Sequence, residues 1–380
     1  MNVLHIASFS GNIGDNANHM GFRPWFEQQI GTPVVWTNLE IREFYWGERQ
    51  WDQELVDAIN THDMVVIGGG NYFELWVENS PTGTSIAIEP SLFEQISIPI
   101  FFNALGVDPG QGVPEVCRER FTNFLDLLTS SKQYLVSVRN DGAMENLVTH
   151  IGFEYAQGVH SLPDHGFFVP MPSEAPVQML PQNKGAVRIA INLASDMAEI
   201  RFAGFKSQSD FSREMAFVLN ALSIKYPSAE FYLVPHIYRD IEIISEVIGF
   251  LSDRLRRTRV AVAPFGSGDE AAKRILAIYY SADLIMGMRF HSNVCPMALG
   301  RQVLGLSSYT QIENLYSGLG QRDRIVNISH PGFANQAVQL AAQMIEGGQG
   351  FASGPQQVQS QVGEMRSAFE IPFKDWLNQG

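Results

Sequence analysis

Short apolar runs that break off at glycine or a polar turn recur along the whole chain. This alternation constrains the fold more than any other feature. Val3 to Ser8 (VLHIAS) runs into GNIGDNANHM, and Asp63 to Ile67 (DMVVI) runs into Gly68-Gly69-Gly70. Ile98 to Leu105 (IPIFFNAL) and Tyr134 to Val138 (YLVSV) follow. Each run is short, rich in β-branched residues and apolar on both alternating sets of positions, which predicts a strand buried on both faces. Helical patterns such as Glu115 to Leu128 lie between them. Pro170 to Ala186 (PMPSEAPVQMLPQNKGA) has several prolines and no periodicity, which predicts a linker. Beyond it the alternation restarts, with strands expected at Val187 to Leu193, Glu230 to Pro235, Arg259 to Pro264, Asp283 to Met288, Gln302 to Ser307 and Arg324 to Ile328. Helices are expected at Ser212 to Tyr226 and Asp269 to Tyr280.

The fold class is therefore α/β, with two doubly wound Rossmann-like domains facing across a cleft. The expected boundaries are 1–169 for the first domain, 170–186 for the linker, 187–350 for the second domain and 351–380 for a C-terminal helix and tail. That helix should break at Pro372 and pack back on the first domain. The length of 380 residues fits two cores better than one. Ligands in such sheets bind outside the carboxyl ends of the strands, so the chemistry should lie in the loops that follow them.

Charge and cysteine content exclude several classes. With 26 Lys+Arg against 40 Asp+Glu the net charge is −14, which disfavours a nucleic-acid binder. A small anion needs only a few local cations and stays open. Cys117 and Cys295 are too few for a disulfide framework or a cysteine zinc site and are expected as reduced thiols. The start MNVLHIASFSGNIGD has no basic segment of a signal peptide, and no apolar run reaches the roughly 18 to 20 residues that span a bilayer. A soluble, cytoplasmic protein is expected.

The strand-end loops carry the candidate site residues. Gly11 and Gly14 let the chain approach a ligand ahead of a helix, with Asp15 or Asn16 as candidate caps. This is neither a dinucleotide fingerprint nor a P-loop. Gly68, Gly69 and Gly70, with Asn71 after them, make room for something, either a ligand or closely packed chain. Asn103, Gly106 and Asp108 form a third loop. Arg139 leaves a buried strand and needs either a structural carboxylate or an anionic ligand, because it cannot shed its charge. Asp164 is a candidate base or a turn residue, and His165 reads as an ordinary surface histidine. His236 ends a later strand. The densest group runs from Ala282 to Ser292, where Arg289 and His291 would share one face of an extended backbone. The structural alternative is a buried Arg289 paired with Asp283 or Glu313.

In order and spacing these motifs resemble the polysaccharide pyruvyl transferase family over most of the chain. They are G-N-I-G-D near the N-terminus, Asp63 to Gly70, Ser137-Val138-Arg139, the turn at Asp164 before Phe167, and Ala-Asp-Leu-Ile-x-G-Met-Arg-x-His from Ala282 to His291, with Ser308-Tyr309 beyond. The resemblance implies a glycosyltransferase-B-like fold and transfer of the enolpyruvyl group of phosphoenolpyruvate to a sugar hydroxyl pair, forming a pyruvate ketal in cell-surface glycan synthesis. It implies that Arg289 and His291 match the family's Arg-x-His pair and Arg139 its arginine after the S-V strand. Four positions depart from the pattern. Phe290 stands for Leu, Asn140 for an acid, His165 for Pro, and Thr310-Gln311-Ile312 follows Tyr309 where a Lys is customary.

On this reading Arg139 and Arg289 fork the donor's carboxylate and phosphate, supported by His236 and the loops of Gly11, Gly14, Gly69, Gly70 and Asn71. His291 is the first choice of acid, because an imidazole ordinarily titrates near neutral pH, and His236 the second. Asp164 or Asp15 takes the hydroxyl proton. The scheme needs no metal and no cofactor, phosphoenolpyruvate being the donor substrate. Replacing Arg289 or His291 by alanine should stop phosphate release and leave the thermal melt nearly unchanged. The expected partners are phosphoenolpyruvate and a sugar or glycan acceptor, without nucleic acid or a membrane span. Peripheral contact with a lipid-linked acceptor and oligomerisation stay open. The alternatives are a nucleotide-sugar glycosyltransferase of the same fold and a non-catalytic glycan-binding or scaffold member. For the last, the aromatics Trp36, Phe44, Tyr45, Trp46, Trp51, Tyr72, Phe73 and Trp76 offer either sugar stacking or core.

Overall fold

A computed structural model describes residues 1–181, 183–347, 351 and 354–378. Residue 182 of the expected linker, and 348–350, 352–353 and 379–380 around and within the expected C-terminal helix and tail, lie outside these.

The chain begins with β1 (Asn2–Ala7), β2 (Val35–Glu40), β3 (Met64–Gly68), β4 (Phe73–Glu74), β5 (Ile100–Leu105), β6 (Val107–Asp108), β7 (Tyr134–Val138) and β8 (Val159–Ser161). Six of them form one parallel sheet in the order β2-β1-β3-β5-β7-β8, while β4 and β6 pair separately. β3, β5 and β7 are buried at every position, as their unbroken apolar runs require. β2 is a strand that the apolar pattern does not reveal. It lies at the sheet edge and is largely exposed, so its sequence VWTNLE needs no apolar run.

The second sheet uses β9 (Arg188–Asn192), β10 (Glu230–Leu233), β11 (Val260–Val262), β12 (Leu284–Gly287), β13 (Gln302–Ser307) and β14 (Ile325–Asn327), again all parallel. Its order is β11-β10-β9-β12-β13-β14. Helix Gln208–Lys225 covers one face, with Phe211, Met215, Leu219 and Leu222 packed among Ile189, Ile191, Phe231 and Leu233. Strand order reverses between β9 and β12, so their two carboxyl-terminal loops part and leave a crevice where such sheets bind ligands. In the first sheet the reversal falls between β1 and β3.

Two compact units result, but they are not contiguous halves. The first holds Met1–Phe9, Gly21–His165 and Val362–Gly380, and the second holds Ser10–Met20 and Gly166–Gln361. Ser10–Met20 falls with the second unit because its loop and first helical turn bond there. Gly11 N donates to Ser267 Oγ at 2.8 Å, Ile13 N to the His236 carbonyl at 3.4 Å, and Asn16 Nδ2 to Asp269 Oδ1 at 3.1 Å.

The C-terminal helix runs from Gly354 to Leu377 without the break expected at Pro372. Proline inside a helix costs about 3 kcal/mol. Here Phe369, Phe373 and Trp376, spaced along one face, bury themselves against Trp25 and Phe101 in the first unit. At about 1.5–3 kcal/mol for each buried large side chain, that packing outweighs the proline. Phe373→Ala should therefore lower the unfolding free energy by about 3–5 kcal/mol, read from urea melts.

Candidate active site

In the second unit, β12 ends at Gly287 and helix Phe290–Ala298 begins two residues past Met288. Arg289 is the residue before that helix, in extended conformation, and His291 lies in its first turn. The expected shared strand face is thus not formed, because the strand has already ended. Arg289 pairs with neither Asp283 nor Glu313. Its Nε donates to Asp240 Oδ2 at 2.8 Å and its Nη2 to Asp240 Oδ1 at 2.5 Å, and Nη2 also meets Asp196 Oδ1 at 2.5 Å. Asp240 is fully buried and also accepts the backbone N–H groups of His236 and Ile237. Burial opposes a charge on Arg289, but the bonds and charges of Asp240 and Asp196 outweigh it and hold the guanidinium protonated.

His236 is also fully buried, with Nε2 2.6 Å from Tyr279 Oη. Burial, then Arg289 and His291, drive its pKa well below 6.5. It is therefore a neutral imidazole at neutral pH and brings no standing charge to the anion it is expected to support. Gly14 explains its own glycine. A Cβ there would fall within 2.7 Å of the His291 ring at Cγ, so the first turn of the helix after β1 can close on His291 only without a side chain. The helix Ile13–Ile30 is capped through Asn12, whose Oδ1 accepts Gly14 N at 3.0 Å, while Asp15 and Asn16 lie inside the helix. Asp15 is buried one residue from Gly14.

In the first unit, Arg139 is buried, with Nε 2.5 Å from Asp141 Oδ2. Burial disfavours its charge, but Asp141, Asp164 and Asp108 outweigh that and keep it protonated. Asn71 Nδ2 donates to Asp108 Oδ2 at 2.8 Å, and a Cβ on Gly106 would strike Asn71 and come within 2.8 Å of Arg139 Nη2. The loops after β3, β5, β7 and β8 thus meet around one guanidinium and three carboxylates. Asp164 N donates to Asn140 Oδ1, so Asn140 fastens this loop where the family pattern has an acid. His165 is not a surface residue. It is fully buried against Phe22 and Trp25, with Nε2 2.9 Å from Asn103 Oδ1.

The three glycines at the end of β3 yield their space to the protein itself. A Cβ on Gly68 would run into the Asn103 carbonyl, Gly69 has φ +86° and donates to that carbonyl, and Gly70 faces the Tyr72 ring. Of the aromatic group, Tyr72 and Phe73 are core, Phe44 stacks on Trp51 at 4.2 Å, and Tyr45 and Trp46 are exposed. Cys117 and Cys295 are buried and form no disulfide. Among the described residues no group of three or more His, Cys, Asp and Glu could hold a metal ion, and no helix is long and apolar enough to cross a membrane.

The sequence model of the polysaccharide pyruvyl transferase family matches residues 12–309. The chain belongs to that family. None of the curated proteins matches it. Among solved structures it is similar to a glycosyltransferase from Rickettsia africae, with 11% identity, TM-score 0.57 and coverage of 100% of this chain and 99% of that one. Anabaena Alr3699/HepE in complex with UDP gives 10%, 0.55, 99% and 100%. The UDP-GlcNAc 2-epimerase of Methanocaldococcus jannaschii gives 11%, 0.54, 95% and 99%. At such identities the likeness shows the fold, an α/β fold of the glycosyltransferase-B type.

For this family member, motif reading misses the loop after β9. Asp196 lies there and Arg201 ends the short helix Ala198–Arg201 that follows, 93 and 88 residues before Arg289 in sequence, and no spacing rule connects them. It also misses Glu74, which lies opposite Asp108 in the β4–β6 pair. Burial, reinforced by Asp108, raises its pKa against the hydrogen bond from Ser85.

Two measurements follow from this geometry. Gly14→Ala should force the His291 ring aside at a cost of about 1–3 kcal/mol, visible in the variant's crystal structure and its melt. His236 has a folded pKa below its unfolded value of 6.5, so the folded state resists protonation and loses stability as pH falls below about 6.5. His236→Gln should flatten that loss relative to the parent chain in denaturant melts between pH 7 and 5.

Proposed function

We propose that this chain transfers the enolpyruvyl group of phosphoenolpyruvate to two hydroxyls of a sugar in a glycan precursor, forming a pyruvate ketal. Family membership carries the reading. It is supported by the placement of Arg289 and His291 at one helix start, beside the switch point of the second sheet. The donor's anionic groups bind at Arg289 and the first turn of helix Phe290–Ala298. The loop of Gly11 and Gly14 shapes the wall beside His291.

The chemistry balances without a further reactant. His291 protonates C3 of the enol, leaving positive charge at C2. A sugar hydroxyl attacks C2 and loses its proton, with Asp15 as acceptor. The C2–O bond to phosphate then breaks, and the second hydroxyl closes the ring. Of the two hydroxyl protons, one balances the proton delivered to C3 and the other leaves on phosphate.

Arg139 is reassigned within this scheme. One guanidinium among Asp141, Asp164 and Asp108 does not make a net cationic site, so this cluster suits sugar hydroxyls better than a donor anion. Asn71 and Asp108 are its proposed hydroxyl partners, with Gly69 and Gly70 shaping the loop. The buried, neutral His236 supports Tyr279 and the Asp240 turn instead of binding an anion.

A nucleotide-sugar glycosyltransferase is the second reading, favoured by the UDP held by the Anabaena protein of like fold. Thermal-shift titration separates the two. Phosphoenolpyruvate should raise the melting temperature, by about 2.7 kcal/mol of stability at 100 times its dissociation constant, and UDP-sugars should not. The reverse result overturns the proposal.

Arg289→Ala is a poor test, contrary to the expectation of an unchanged melt. It would strand the buried Asp240 carboxylate and cost about 3–5 kcal/mol. His291→Gln should instead abolish phosphate release from phosphoenolpyruvate and acceptor while the fold persists. Mass spectrometry of the parent reaction should find the ketal product. Full turnover by the variant would remove His291 from the mechanism.

A further inference from the structure

Two arginines share one carboxylate at the end of β9, and the two acids that neutralise them are held very differently. Asp240 is fully buried, takes a double bond pattern from Arg289 and caps two backbone N–H groups, so it is a fixed structural partner. Asp196 sits at the rim with its side chain 20% exposed. It touches Nη2 of Arg289 at 2.5 Å and Nη2 of Arg201 at 3.5 Å, bridging the two guanidiniums. Nη1 of Arg289 takes no partner among the described residues.

Arg201 is buried to a degree unusual for an arginine. Its Nε donates to the Asp196 carbonyl at 2.9 Å and its Nη1 to Ser308 Oγ at 3.1 Å, and its guanidinium carbon lies 5.9 Å from the Tyr309 ring centroid. The backbone between the acid and this arginine is held at Met197 with φ 55° and ψ 40°, a left-handed conformation uncommon outside glycine and asparagine. Strain of this kind persists only where the surroundings impose it, and here it turns Asp196 back onto both arginines.

We propose that the Asp196 carboxylate is an internal stand-in for a ligand phosphate, and that Arg201 and Arg289 together hold the phosphate of a phosphomonoester once Asp196 swings out. Without Asp196 the set of Arg201, Arg289 and Asp240 carries one net positive charge at the start of helix Phe290–Ala298, a setting that favours a dianion. Both arginines draw Asp196's pKa below the usual carboxylate value against its burial, so it remains a charged competitor throughout the neutral range. The inference rests on taking this strand end as the donor site, and it adds the second cation and the group the donor must displace.

The test uses inorganic phosphate as the probe, by isothermal titration calorimetry on the full chain at constant ionic strength. Asp196→Asn should bind phosphate about tenfold more tightly than the parent chain, the scale of one charge-assisted bond that no longer has to be displaced. Arg201→Gln should bind it about tenfold more weakly, and Arg201→Lys should recover part of the loss. Equal or weaker binding by Asp196→Asn, or parent-like binding by Arg201→Gln, overturns the inference. If a variant does not fold, ¹⁵N-arginine NMR of the parent chain decides. Phosphate must shift two guanidinium Nε signals, and an unmoved spectrum overturns the proposal. Because turnover is not measured, phosphate binding of this pattern without ketal formation would sink the pyruvyl-transfer reading and leave this one standing.

Discussion

The pairing of Arg289 with Asp240 is the interaction on which the second unit's site depends. An arginine delivered to the end of a buried strand cannot lose its proton, so its surroundings must supply a permanent counter-charge. Asp240 does so from the turn that follows β10, and it simultaneously binds the N–H groups of His236 and Ile237. One carboxylate therefore fixes Arg289, the His236 turn and the start of helix Asp240–Gly249. His236 in turn is held beside Tyr279 as a neutral ring, first by its burial and then by Arg289 and His291 nearby.

Glycine placement follows from the same crowding. Gly14 makes way for His291, Gly68 for the Asn103 carbonyl, and Gly106 for Asn71 and Arg139. At each point two strand-end loops touch without an intervening side chain. The glycines that suggest ligand contact in sequence thus act one step back. They let the strand-end loops close tightly on one another.

The net charge of −14 takes on a different meaning at these sites. Arg139 lies among three carboxylates, whereas Arg289 and Arg201 are matched by only two. The two strand-end clusters therefore differ in electrostatic character, and only the second approaches what an anion requires. A difference of this kind depends on which acids fold against which arginine, so it is invisible in composition.

Local sequence sets the elements and the residues at their ends. Buried parallel strands need unbroken apolar runs, and those runs are local, so β3, β5, β7, β9 and β12 were legible together with Arg139, Arg289 and His291 beyond them. β2 was not, because an exposed edge strand has no such run, and the helix through Pro372 was not, because distant aromatics hold it together. The strand order, and with it the switch point between β9 and β12, comes from long-range packing. That packing also decides that Asp240 and Asp196 partner Arg289, that Arg201 joins them, that His236 is neutral and that His165 is core. The physical reason is common to all of these. Charge pairing and burial are set by residues tens of positions apart, brought together by the parallel crossovers, and no periodicity along the chain records which of them meet.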